Sequence, residues 1–247
     1  MTETIVPKVV RGRVELIVSY QDKSITHVFP AEGQNTYRNV GSQILAKKLA
    51  VPTGDYTASL VHTAFCDSRV ENEPEFGNVK DMVKNRWLWV FNRHLWTSNG
   101  VYTFQDSEAK GTSEELNVAQ LEEMLKDGKE VKGLRFSKDG KVRFAPKGSY
   151  VLGQHTTQSL AKDGFVITSY GERGAEQLGE VAEKIRKTPW TYGLEINERQ
   201  APKQSVSALG ANYGGSWLGV NGGDCDDSSG GCAFGVSATG EANAQKI

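Results

Sequence analysis

The segment Asn221 to Cys232, NGGDCDDSSGGC, concentrates side chains able to hold a cation. Asp224, Asp226 and Ser228 stand at i, i+2 and i+4, the spacing at which a calcium loop presents its first three ligands. The pattern then fails twice. The sixth position, which such a loop needs as glycine, is Ser229, and the twelfth, which needs a bidentate glutamate, is Gly235. Cys225 and Cys232 flank six residues near the expected ends of two strands, where a cross-strand disulfide is geometrically feasible. A reducing cytosol would keep such a pair open. The reading carried forward is a solvated hairpin tip, with a weak cation site and a redox-sensitive cysteine pair as the alternatives.

His62 and Cys66 are four residues apart on a predicted helix, so both side chains project from one face. That spacing suits two ligands of a zinc site. The remaining ligands would have to come from His27, His94, His155, a distant cysteine or a carboxylate. No CxxC or HExxH motif supplies them, and a Cys–His nucleophile pair has no more support. The plainer reading is a helix face with one half-buried histidine and one buried cysteine. No metal and no cofactor is expected.

Three further constellations point toward anions or clefts. In GERG, Gly171 and Gly174 follow the apolar stretch FVITSY and precede a helical pattern. A glycine turn that opens a helix can offer backbone N–H groups to phosphate. However, GxxG is neither the dinucleotide fingerprint nor a P-loop, and a simple turn is the plainer reading. In GLRFSKDGKVRF, a two-residue Asp139-Gly140 turn would set Phe136 opposite Arg143, whereas the preferred three-residue Lys138-Asp139-Gly140 loop sets Phe136 opposite Val142 and Leu134 opposite Phe144. It keeps the apolar side chains on one face. That register places Arg135 opposite Arg143 on the other face, beside Lys138 and Lys141. Like charges opposed on neighbouring strands cost stability, so an anionic partner such as nucleic acid, a phosphorylated ligand or an acidic protein face would repay them. A solvated, solubilising face is the competing explanation. Finally, Asn92, Arg93 and His94 emerge together from an apolar strand, where polar groups could line a cleft. Arg93 then pairs with Asp106 and His94 with Gln105 across the hairpin.

The elements that must position these groups follow from periodicity. Val9–Tyr20 and Ser24–Phe29 form a β-hairpin. Val40, Ile44, Leu45 and Leu49 mark a helix that ends before Pro52. Thr53 caps a second helix with the stripe Leu60, Val61, Ala64, Phe65. Asp67 to Gly77 is a loop and Asn78–Lys84 a short helix. In RWLWVFNRHLWTSNGVYTFQD, Asn99-Gly100 predicts a type I′ hairpin with Trp96 opposite Thr103. Its first strand, apolar on both faces, is central and covered. Thr112 and Glu115 form a capping box for a helix through Leu116, Leu121, Met124 and Leu125 that stops at Gly128. Thr156–Ala161 is a short helix. FVITSY, the helix Ala175–Ile185 and the strand Thr191–Ile196 predict a right-handed βαβ unit. Beyond the NERQAPKQ linker, short apolar runs between glycines predict a β-meander or a flexible arm.

The expected fold is α+β: mixed antiparallel hairpins packed with helices, one βαβ unit in the C-terminal half and a Gly-rich meander. Its segments are 1–148, 149–200 and 201–247, which can all belong to one domain. With 24% charged and 38% hydrophobic residues, the chain has the composition of a packed globule rather than a disordered one. The net charge of −1 gives no global reason for a nucleic-acid coat or a membrane-surface protein. No apolar run reaches the ~20 residues of a bilayer span, and no signal peptide is visible. Three cysteines argue against a secreted disulfide scaffold, so the cytoplasm is the default. The leading function is that of a non-enzymatic binding or interaction protein for an anionic or aromatic ligand or a protein partner, with Arg135, Lys138, Lys141, Arg143, Arg93, Asn92, Gly171 and Gly174 as the candidate binding residues. The alternatives are a hydrolase- or transferase-like enzyme centred on His94 or His62, and an assembly subunit that packs through its C-terminal arm. A homo-oligomer is left open.

Overall fold

The computed structural model describes residues 8–10, 15–211, 217–224 and 226–237. They form an α+β fold in which helices pack on a large, mostly antiparallel sheet. The chain opens with a small sheet of β1 (Lys8–Val10), β2 (Glu15–Tyr20) and β3 (Lys23–Val28), all antiparallel. The predicted hairpin is there, closed at Gln21-Asp22, but its first strand is divided into β1 and β2. After β4 (Glu32–Asn35), α1 (Tyr37–Ala46) buries Tyr37, Val40 and Ile44, while Leu45 of the predicted stripe faces outward. Thr53 caps α2 (Gly54–Cys66) as expected, its hydroxyl accepting from the Tyr56 N–H, and Leu60, Val61, Ala64 and Phe65 are buried. The predicted loop 67–77 holds a 3₁₀ turn, Ser68–Val70, and the start of α3 (Pro74–Asn85). Pro74 occupies the first turn, where its missing N–H leaves no bond unmade.

β5 (Trp87–Thr97) and β6 (Gly100–Gln105) form the Trp hairpin, but its register is two residues from the predicted one. Ser98 and Asn99 make the turn; Thr97 faces Gly100, Trp96 faces Val101, His94 faces Thr103 and Arg93 faces Phe104. A slip of two keeps every side chain on its face. Gly100 serves a close approach rather than the turn. Its φ is +148°, and a Cβ there would stand 2.8 Å from the Cα of Pro146 on the next strand. Thr97 closes the turn, its hydroxyl donating to the Gly100 carbonyl at 2.9 Å and accepting from the Asn99 N–H at 3.2 Å.

The remaining elements are α4 (Val118–Lys126), β7 (Lys129–Val131), β8 (Leu134–Phe136), β9 (Val142–Pro146), β10 (Gly153–Gln154), α5 (Thr157–Leu160), α6 (Gly164–Lys184), β11 (Thr188–Tyr192), β12 (Lys203–Gly210), β13 (Trp217–Asp224) and β14 (Gly231–Ala233). The large sheet runs β10-β11-β13-β12-β5-β6-β9-β8-β7, with β14 lying parallel to β5 and antiparallel to β4. β5 is thus central and covered. Leu88, Val90 and Trp96 face the core with α2 and α6, whereas Trp89 and Phe91 pack with Tyr37 of α1. Strands from all three sequence segments interleave in this one sheet.

Five other expectations are corrected. Asn117, not Thr112, caps α4, its side-chain oxygen accepting from the Ala119 and Gln120 N–H groups. FVITSY is the first part of α6, started by Asp163, whose carboxylate accepts from the Val166 N–H at 3.1 Å. Phe165, Val166, Ile167 and Tyr170 are all buried. A helix apolar on every side belongs in the interior, and that burial outweighs the β-propensity of these residues. The predicted βαβ unit therefore does not form: the parallel neighbour of β11 is β13. The strand expected at 191–196 lies at 188–192. The Asp-rich segment is not a hairpin tip either, because β14 leaves β13 to pair with β4 and β5.

Candidate binding groove

Three turns converge beside β9: the β2–β3 turn at Gln21, the 137–141 loop between β8 and β9, and a break in α6. At the break, Gly171 has φ +74° and ψ 163°, which glycine reaches without steric cost. The turns frame two adjoining cavities of about 430 and 290 Å³ that share Tyr20, Gln21, Asp55, Gly171 and Glu172.

The base of this groove is ionic. Arg143 donates to both carboxylate oxygens of Asp55, at 3.0 and 3.1 Å, and to the Thr168 carbonyl at 3.3 Å. Tyr20 donates its hydroxyl to Asp55 at 3.0 Å. Asp55 stands in the first turn of α2, where the helix dipole favours a carboxylate. Burial, and then the Asp55 charge, push the Tyr20 phenol far above its ordinary range. A Cβ on Gly171 would come within 3.1 Å of an Asp55 oxygen, so glycine also leaves room for the pair.

Leu134, Phe136 and Ile167 give the larger cavity an apolar wall, and Lys129, Lys132 and Lys138 reach it from β7, the β7–β8 turn and the 137–141 loop. Lys132 and Gly133 both have positive φ, 53° and 80°, which makes a two-residue turn between β7 and β8. Lys132 pairs with Glu172. Lys129 lies over the Phe136 ring at 5.9 Å. Among the described residues, neither Lys129 nor Lys138 has an ion-pair partner. Asp139 is occupied by its own loop. The Ser137 hydroxyl donates to it at 2.7 Å and the Lys141 N–H at 3.1 Å. These bonds, the Ser137 one foremost, hold its carboxyl below the usual range.

That loop corrects the predicted β8–β9 register: Phe136 faces Arg143 and Arg135 faces Phe144. The two arginines are not opposed. Arg143 turns into the core. Arg135 lies over the Phe144 ring at 4.6 Å and donates to Glu122 of α4 at 2.6 and 2.8 Å. Of the eight residues singled out for binding, Lys138, Arg143, Gly171 and Gly174 come to the groove, and exposed Lys141 stands next to it without lining it. GERG lies inside α6 rather than at a strand–helix turn.

Asn92 is spent on the Ser169 carbonyl at 2.7 Å. Arg93 donates to the Glu114 carbonyl and to Gln204, and stacks on Phe104. Its predicted partner Asp106 instead accepts from Tyr37, Lys110 and Gly111. His94 is fully buried, with one ring nitrogen 3.2 Å from the Thr103 hydroxyl and the other 2.6 Å from that of Ser207. Burial lowers its pKa to about 3, so it is neutral at pH 7. A general base must reach the proton it abstracts, and both nitrogens of His94 are already engaged. His62 meets Glu180 at 2.5 Å, and burial pushes the nearby Cys66 thiol up. Among the described residues, no three His, Cys, Asp or Glu side chains gather as a metal site. Asp226 accepts from the Thr112 N–H and hydroxyl and faces Arg38 at 3.2 Å. Cys225 lies outside the described residues; Cys232 is a buried free thiol. No helix among the described residues is long and apolar enough to cross a membrane.

Sequence reasoning missed Asp55, Tyr20 and Lys129. Asp55 was legible as a first-turn acid, but nothing local ties it to Arg143, 88 residues away.

No family model matches the chain, and no curated protein does. Among solved structures, one described as "Accommodation of massive sequence variation in Nanoarchaeota by the C-type lectin fold" is similar over 89% of this chain and 100% of that one, at 11% identity and a TM-score of 0.47. Likeness at that level assigns neither a ligand nor an activity.

Proposed function

We propose that this is a non-enzymatic binding protein whose groove between β2, the β8–β9 loop and α6 takes an anionic partner. The observation that supports the reading is the pairing of two ammonium groups that have no ion-pair partner among the described residues, Lys129 and Lys138, with an apolar wall of Leu134, Phe136 and Ile167. Apolar walls with a few convergent polar groups are the usual make-up of a ligand site. Arg143 is committed to Asp55, so its part is to hold the base rigid while the lysines meet the ligand. The partner carries phosphate, sulfate or carboxylate charge for the lysines and an apolar portion for the wall.

Binding of a short RNA, a short DNA and heparin, each measured at several salt concentrations, tests this. The wild type should bind with a clear salt dependence. Lys129→Gln with Lys138→Gln should flatten the log–log slope by about 0.7–0.9 for each phosphate that the two lysines neutralise. Heparin tests charge without bases. An absence of binding at low salt, or binding that the double change leaves untouched, refutes the reading.

A further inference from the structure

A cavity of about 670 Å³ shares no lining residue with the groove. It lies between the chain that follows β9, at 147–152, and the chain that follows β11, at 194–200, beside Thr97 at the turn of the Trp hairpin. Gly193 lets these segments come together: a Cβ there would stand 2.3 Å from the Trp96 indole and 2.8 Å from the Leu152 side chain. Tyr150 packs edge-on against the same indole at 5.8 Å. The walls are therefore fixed by packing.

Three kinds of group line the space. Leu152, Leu194 and the buried Ile196 form an apolar wall, which Val151 continues to the rim. Val151 is 62% exposed, more than any other large hydrophobic side chain among the described residues. A contiguous apolar surface edged by polar groups is the usual make-up of a binding site. Lys147 and Glu195 are the charges. Neither has an ion-pair partner among the described residues, so they do not pair with each other either. Burial, then Asp163 and Glu195, push the Tyr150 phenol up, which sets the Glu195 carboxylate on the Tyr150 side. Asp163 itself is spent on the Val151 and Val166 N–H groups. No helix end lines the cavity, and the adjoining turn adds one acid and one base, Glu198 and Arg199, so the site has no net charge. Asn197 and Gln200 complete it. Their side-chain oxygens accept from the Arg199 and Asn197 N–H groups at 3.0 and 2.9 Å, which leaves both NH₂ groups to donate.

One cation, a separate anion, amide donors and an apolar wall complement a molecule with a carboxylate, an ammonium, a carbonyl and apolar side chains. A simple anion would be repelled by Glu195, and a simple cation by Lys147. We infer that this cavity is a second site, independent of the groove, which takes a short apolar peptide with both ends free. Lys147 meets its carboxylate, Glu195 its ammonium, the Asn197 and Gln200 amides its peptide carbonyl, and the wall its side chains.

Leucyl-leucine, titrated into the isotope-labelled full chain at low salt with backbone amide shifts followed by NMR, tests this. Saturable shifts are expected at 147–152 and 194–200. N-acetyl-leucyl-leucine lacks the ammonium and leucyl-leucinamide lacks the carboxylate. Each should bind ~10-fold more weakly, as for loss of one charge-assisted hydrogen bond. Glycyl-glycine should also bind at least ~10-fold more weakly, for want of side chains to cover the wall. Lys147→Gln should abolish the preference for a free carboxylate and keep that for a free ammonium; Glu195→Gln should do the reverse. A misfolded variant would lose both preferences together. Lys129→Gln with Lys138→Gln should leave leucyl-leucine binding unchanged, so that failure of the groove and failure of this cavity read differently. Leucyl-leucine that does not bind at about 10 mM, shifts that fall elsewhere, or capped peptides that bind as well as the free one overturn the inference.

Discussion

Removing one member of the Asp55–Arg143 pair should be among the most costly single changes in the protein. The side chains are only 13% and 10% exposed, and the fork–fork geometry is bidentate at 3.0 and 3.1 Å. At that separation and an effective dielectric of ~20, the Coulomb attraction is about 5 kcal/mol. Much of it offsets the desolvation of the two ions, so the pair as a whole adds little net stability. Asp55→Ala removes the attraction but leaves Arg143 buried, with a cost of about 3–5 kcal/mol. Asp55→Ala with Arg143→Met removes both charges and should recover ~2–3 kcal/mol of the summed single effects. Tyr20→Phe should cost ~1 kcal/mol in the wild type and almost nothing once Asp55 is gone, because its hydrogen bond is to that carboxylate. Urea denaturation followed by tryptophan fluorescence gives all of these values. A loss under ~1 kcal/mol for Asp55→Ala, or single effects that simply add, would mean that the pair is hydrated in solution and does not form the base of the groove.

Trp89 is fully buried between α1 and the sheet, where it packs with Tyr37 and donates to the Asn35 carbonyl at 3.0 Å. Trp89→Ala should therefore lower the unfolding free energy by about 3–5 kcal/mol, and a loss below ~1 kcal/mol in the same assay would show an exposed face. Acid should destabilise the fold through His94 and His27, whose pKa values burial lowers to about 3 from 6.5. Because the folded values lie below the unfolded one, their contribution is whole above about pH 6.5 and is lost as pH falls toward 3. Each contributes ~1.4 kcal/mol per pH unit within that window. Asp106 and Asp163, raised by burial, act in the opposite sense at its lower end. Unfolding free energies that stay flat from about pH 6.5 to about pH 5 would exclude closed, neutral histidines.

Local chemistry was enough to place several elements. Thr53 caps α2 because its hydroxyl meets an N–H three residues on. The covered strand β5 was legible because apolar residues on both its faces leave no face for water. The β2–β3 hairpin follows from turn chemistry in the same way, whereas Gly128 after α4 has no positive φ and serves a close approach to the Phe136 carbonyl. What failed depended on partners far along the chain. FVITSY has strand-forming residues, yet α2 and the sheet bury it as a helix, and residues 54–66 cannot be seen from residue 165. The Trp hairpin sits two residues from its expected register because Gly100 is needed against β9, which lies about forty residues downstream. The basic hairpin is basic, as its composition requires, but it is not open. Its Ser137–Asp139 bonds set another register, and the arginines go to Asp55 and Glu122 on helices that the hairpin sequence does not contain. Charge and apolar pattern are properties of residue type and survive in any fold, so composition and most element types could be read directly. Which cations remain unpaired depends on which carboxylates the tertiary structure brings within reach, and only the folded chain decides that.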